Sequence, residues 1–151
     1  MELKSFAIYL PVIAALGWAV AYAVNARNYE VISVPTGLIA HGAAIVVAGL
    51  LVSAAMGMQI DFTPFITHSE KFWFWLAPVA VVVASTFLHL SLKMNSATYT
   101  GLIEMLYVVL IPIFTYLFFG QKQFNTPMLI GGVLMLVGVG FVFYGQLQKS
   151  S

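Results

Sequence analysis

A chain of 151 residues that is 62% apolar, with 6 basic and 5 acidic side chains and no cysteine, has too few charges to cover a water-facing surface, since soluble domains are roughly 25% charged. That composition excludes a soluble globular enzyme, a disordered segment and a disulfide framework or thiolate metal site. A net charge of +1 likewise lacks the electrostatic footprint of a nucleic-acid binder. What remains is an all-α polytopic membrane protein with a mean hydropathy of +0.99.

A membrane-spanning helix needs about 20 largely apolar residues, and the sequence supplies that length five times. The first span is expected over Phe6–Val24, closed by the polar run Asn25-Ala26-Arg27-Asn28-Tyr29-Glu30. Its length and the lack of a small-residue cleavage pattern distinguish it from a secretory signal. The second is expected over Val34–Met58, with Pro35 near its start, where a missing N–H costs least. The third covers Phe72–Leu92, opened by the interfacial aromatics Phe72-Trp73-Phe74-Trp75. The fourth runs over Ala97–Phe119 and the fifth over Pro127–Tyr144. The longest loop, Gln59–Lys71, leaves no room for a soluble domain, so residues 1–151 read as a single transmembrane domain.

Orientation follows the Lys/Arg asymmetry of the loops. Five spans place Lys4, Lys71 and Lys122 on one side and Arg27, Lys93 and Lys149 on the other, three against three. That tie selects no orientation. It is either the small bias of a small protein or the mark of dual topology, in which copies insert both ways and pair antiparallel as the two halves of an inverted-repeat transporter do.

Of the acidic residues, Glu2, Glu30, Asp61 and Glu70 fall in termini or loops, whereas Glu104 lies about two turns inside the fourth span. A carboxylate there costs a few kcal/mol on insertion scales and ordinarily faces a cavity, serving a proton, an ion or a cationic substrate. The alternative is a protonated structural acid hydrogen-bonded to a neighbouring helix. Helical spacing puts Thr100, Glu104, Tyr107 and Ile111 on one face, and Tyr107 can offer a hydroxyl to the acid or a ring face to a cation. Trp18 and Tyr22, four apart in the first span, and His41 in the second lie at comparable depth. Trp18, Tyr22, His41, Thr100, Glu104 and Tyr107 are therefore the candidate substrate- and proton-binding residues. His41 and His89 are either interhelical hydrogen-bond formers or members of a proton relay. The scattered histidines, with no carboxylate at ligand spacing, argue against a metal site.

Gly131, Gly138 and Gly145 recur every seven residues along the fifth span, a stripe along which another helix can approach closely. It serves either packing within the protomer or a dimer seam. Pro11 and Pro112 free carbonyls in the first and fourth spans and allow bending. No Gly-x-Ser-x-Gly, P-loop, His-Glu-x-x-His or dinucleotide fingerprint is present, so neither an enzyme nor a cofactor is expected.

Several stretches resemble a known family. Ala15-Leu16-Gly17-Trp18-Ala19, Asn95-Ser96-Ala97 leading to Ile103-Glu104, Ile111-Pro112, Leu117-Phe118-Phe119-Gly120 and Gly131 through Val139 are similar to the EamA domain of the drug/metabolite transporter superfamily, to which the small multidrug resistance proteins are related. Typical members hold two inverted five-helix domains. The resemblance therefore implies that this chain is one half and pairs with another copy. Small multidrug resistance proteins use a glutamate of the first helix for proton–drug exchange. The first span here has no acid, so Glu104 would serve that purpose from the fourth. Gln121 also stands where members often carry Glu after the helix-ending Gly120.

These observations lead to the expectation of a secondary active transporter, a proton-coupled exporter of a small organic or amphipathic metabolite or drug, working as an antiparallel homodimer in the inner or plasma membrane. The expected partners are a second copy, a small-molecule substrate, protons and membrane lipids, without nucleic acid. Two alternatives are a lipid or lipid-linked-sugar flippase subunit and a non-transporting small subunit of a larger membrane complex.

Overall fold

A computed structural model of the chain describes residues 10–122 and 125–150, the side chains of 149 and 150 excepted. The expected start of the first span at Phe6, the residues Glu2 and Lys4, and the side chain of Lys149 lie outside the described residues. Among the described residues the chain is helical throughout, with α1 (Leu10–Asn28), α2 (Val34–Met56), the short α3 (Pro64–Thr67), α4 (Lys71–Met94), α5 (Ala97–Glu104), α6 (Leu106–Phe119) and α7 (Thr126–Ser150). Five stretches are long and apolar enough to cross a membrane: α1, α2, α4, α5 with α6, and α7 to Gln148. The chain is a multi-pass integral membrane protein.

The helix ends follow local chemistry. Ser33 caps α2, its hydroxyl accepting from the Thr36 amide at 3.3 Å, and Pro35 sits in the first turn. Gly57 (φ 63°) and Gly120 (φ 65°) end α2 and α6 in the left-handed region, where a side chain is strained. The second span accordingly stops at Met56 rather than at the expected Met58. α1 carries on past the expected Val24 to Asn28. Its polar last turn places Arg27 at the helix C-terminus, where a cation is favoured, and Arg27 pairs with Glu30 at 2.7 Å. At the other end, α4 and α7 extend beyond the expected Leu92 and Tyr144.

The loop before α4 is ordered by Asp61, whose carboxylate accepts from the Thr63 amide at 2.8 Å, and by Trp75, whose indole donates to the Phe65 carbonyl at 2.9 Å. Phe65 meets Phe74 and Trp75 at ring separations of 5.8 and 5.4 Å, an amphipathic cluster suited to the interface.

The chain divides into two compact units, one formed by residues up to Ala23 with Asn95 onward, the other by Val24–Met94. In the first, α5 and α6 pack on α7, and in the second, α2 and α3 pack on α4. Lipid tails solvate Leu and Val as well as a protein interior does, so there is no drive to hide them. Among the described residues the buried side chains are instead few: Tyr29 and His89 (each 1% exposed), Leu92 and Thr100.

Candidate functional site

Within the unit that holds Glu104, α1 and α5 border a cavity of about 690 Å³. Trp18 and Tyr22, one turn apart on α1, line one side with their rings edge to face at 5.8 Å. Gly101, Glu104 and Tyr107 line the other. Gly101 lets the two helices approach closely: a Cβ there would stand 3.1 Å from the Tyr22 ring, tighter than ordinary van der Waals contact, so the ring would have to give by a few tenths of an ångström. Trp18 and Tyr107 remain about half exposed, which leaves both ring faces accessible to a guest.

Glu104 is partly buried at the last residue of α5. Among the described residues its carboxylate has no hydrogen-bonding or ionic partner. Directly after it the helix is interrupted at Met105, whose amide reaches the carbonyls of Gly101 and Ile103. Val108 then donates to the Met105 carbonyl at 3.1 Å, a three-residue turn of the kind that marks hinges inside helices. Pro112, expected to allow bending, lies within α6 without ending it.

The structure brings together four of the six candidate binding residues: Trp18, Tyr22, Glu104 and Tyr107. Thr100 is buried at 5% exposure and is not among the lining residues. His41 belongs to the other unit, where its ring meets His89 at 5.3 Å. Ile111, expected on the Glu104 face, lines a different groove of about 850 Å³ with Val108, Pro112, Met128 and Leu136. That groove is bordered almost entirely by apolar side chains of α6 and α7. Gly101 and the break at Met105 were not singled out as site features in the sequence. The one available signal was a glycine three residues before a buried acid.

The glycine stripe of α7 separates by face. Gly132 meets Val109 of α6, whose methyl would stand 3.7 Å from an added Cβ, whereas Gly131, Gly138 and Gly145 face open space. Among the described residues no group of three metal-ligating side chains occurs. Comparison of the chain with protein-family models, with curated proteins and with solved structures finds no match.

Proposed function

We propose that the chain is a proton-coupled secondary transporter that exports small organic, cationic or amphipathic compounds. The observation that carries this reading is the Glu104 carboxylate, without a partner among the described residues, in an aromatic-flanked membrane cavity, one residue before a break in its helix. A carboxylate so placed can hold a proton or a cation but not both, which is the exchange that coupling needs. Trp18, Tyr22 and Tyr107 supply ring faces that attract an organic cation. The turn at Met105 supplies a place for the helix to bend, as discontinuous helices do at transporter binding sites.

The functional assembly in this reading is an antiparallel homodimer, each chain being one half of an inverted-repeat transporter of the EamA type, in the inner or plasma membrane. The balanced loop charges allow both orientations, and the open space beside Gly131, Gly138 and Gly145 offers a seam. The apolar groove between α6 and α7 favours one second reading, movement of a lipid whose acyl chain lies there.

The test is reconstitution in proteoliposomes under an imposed pH gradient, with tetraphenylphosphonium as the probe. Gradient-driven accumulation that disappears in Glu104→Gln supports the transporter. Equal accumulation in both proteins removes Glu104 from the mechanism. Loss of asymmetry of a fluorescent phospholipid without cation movement would favour the lipid reading.

A further inference from the structure

Among the described residues the least exposed side chains carry polar atoms and lie in the unit formed by Val24–Met94. Tyr29, just past α1, is 1% exposed, and so is His89 of α4. Their rings meet edge to face at 5.8 Å, and His89 in turn meets His41 of α2 at 5.3 Å. Gly37, one turn before His41, lies against the Tyr29 ring. A line Tyr29–His89–His41 therefore runs between α2 and α4. With a rise of 1.5 Å per residue, His89 lies roughly 8 Å from the end of α4 and His41 roughly 10 Å from the start of α2.

The protonation pattern of His89 follows from its partner. Nδ1 stands 2.7 Å from the Ser85 carbonyl, and a carbonyl only accepts, so Nδ1 carries the proton. In the neutral ring Nε2 is then a bare acceptor, and among the described residues it is buried without a hydrogen-bond partner, as is the Tyr29 hydroxyl. Burial pushes the Tyr29 phenol up, so the hydroxyl keeps its proton. Two buried groups of complementary polarity left unsatisfied in one cluster cost free energy that a small hydrogen-bonding guest would recover.

We propose that Tyr29, His89 and His41 form a proton-exchange site, in which His89 Nε2 takes a proton from a protonated water (a hydronium ion) held against the Tyr29 hydroxyl and shares it with His41. The O–H bond of the protonated water breaks, the N–H bond forms at Nε2, and neutral water remains. The imidazolium keeps its Nδ1–H on Ser85. The other charged and titratable groups at the cluster are Lys93, one turn along α4 and donating to the Tyr29 carbonyl, and the Arg27–Glu30 pair flanking Tyr29 in sequence.

Nitrogen-15 NMR of the full chain, histidine-labelled and reconstituted in lipid, tests this from about pH 8 to about pH 5. The expected result is a His89 ring protonated at Nδ1 only at the alkaline end, which gains a proton at Nε2 with a midpoint shared by His41. His41→Gln should then change the proton affinity of His89 by about tenfold or more. An Nε2 that stays bare over the whole range overturns the proposal, and so do two independent midpoints in the unsubstituted chain, which requires no variant to fold. Neither a substrate nor Glu104 enters the readout, so the transport reading stands or falls separately.

Discussion

Gly37→Ala places a methyl group where the Tyr29 ring now lies. The added Cβ would be 2.7 Å from Cε1 and 2.9 Å from Cζ, and closer still to the hydroxyl, so ring or helix must give by most of an ångström. Tyr29 has little freedom to move: it is 1% exposed, its ring packs on His89, and its carbonyl accepts from Lys93. Overpacking of a fixed site costs about 1–3 kcal/mol. The opposing gain from replacing Gly by Ala in a helix is at most about 1 kcal/mol and smaller in a first turn, which leaves a net loss of about 1–2 kcal/mol. Gly49→Ala in the same helix meets nothing within 4 Å and should be neutral or stabilising. The assay is unfolding by rising SDS fraction in mixed micelles, followed by far-UV circular dichroism. A double-mutant cycle completes it, because in a Tyr29→Leu background the cost of Gly37→Ala should vanish. Equal stability of Gly37→Ala and Gly49→Ala would mean that Tyr29 is not held rigidly against α2.

Three further outcomes are expected. Gly138→Leu fills open space on α7 and should weaken self-association without unfolding the protomer, whereas Gly132→Leu strikes Val109 and should destabilise the protomer itself; analytical ultracentrifugation and SDS unfolding separate the two. Hydrogen bonds from the Thr63 side chain and amide hold the Asp61 carboxyl below its usual range, so their contribution to loop order is present above the ordinary aspartate value and is lost as pH falls through the depressed one. The Thr63 amide NMR signal should report that low midpoint and show no such step in Asp61→Asn. A single cysteine introduced as Ser151→Cys into this cysteine-free chain should be labelled by an impermeant maleimide in only part of the population of intact cells if both orientations are inserted. All-or-none labelling would contradict the antiparallel pair.

The membrane class and the span positions were legible because they depend on uninterrupted apolar length, which a linear reading measures directly. Gly120 also marked the end of the fourth span at Phe119. The polar run after Val24 was misleading, since at an interface Asn25 and Arg27 can stay helical with their side chains in water. The interruption at Met105 was not visible: Met is a good helix former, and the residue with an intrinsic breaking tendency, Pro112, sits inside α6. Trp18, Tyr22, Glu104 and Tyr107 could be grouped from depth and spacing along their helices. His41 could not be assigned that way, because depth does not reveal which neighbouring helix a side chain meets. Its partner, His89, is on α4. The two roles of the α7 glycines likewise depend on which face α6 covers, and a repeat of seven residues does not specify that face.

The most direct test of the central claim is whether cation binding displaces a proton from Glu104. Calorimetric titration of the purified protein with tetraphenylphosphonium, in two buffers of different ionisation enthalpy, measures the protons released per cation bound. The expected result is net proton release by the unsubstituted protein and none by Glu104→Gln. Binding with no proton release in the unsubstituted protein, or with the same release after Glu104→Gln, would contradict it.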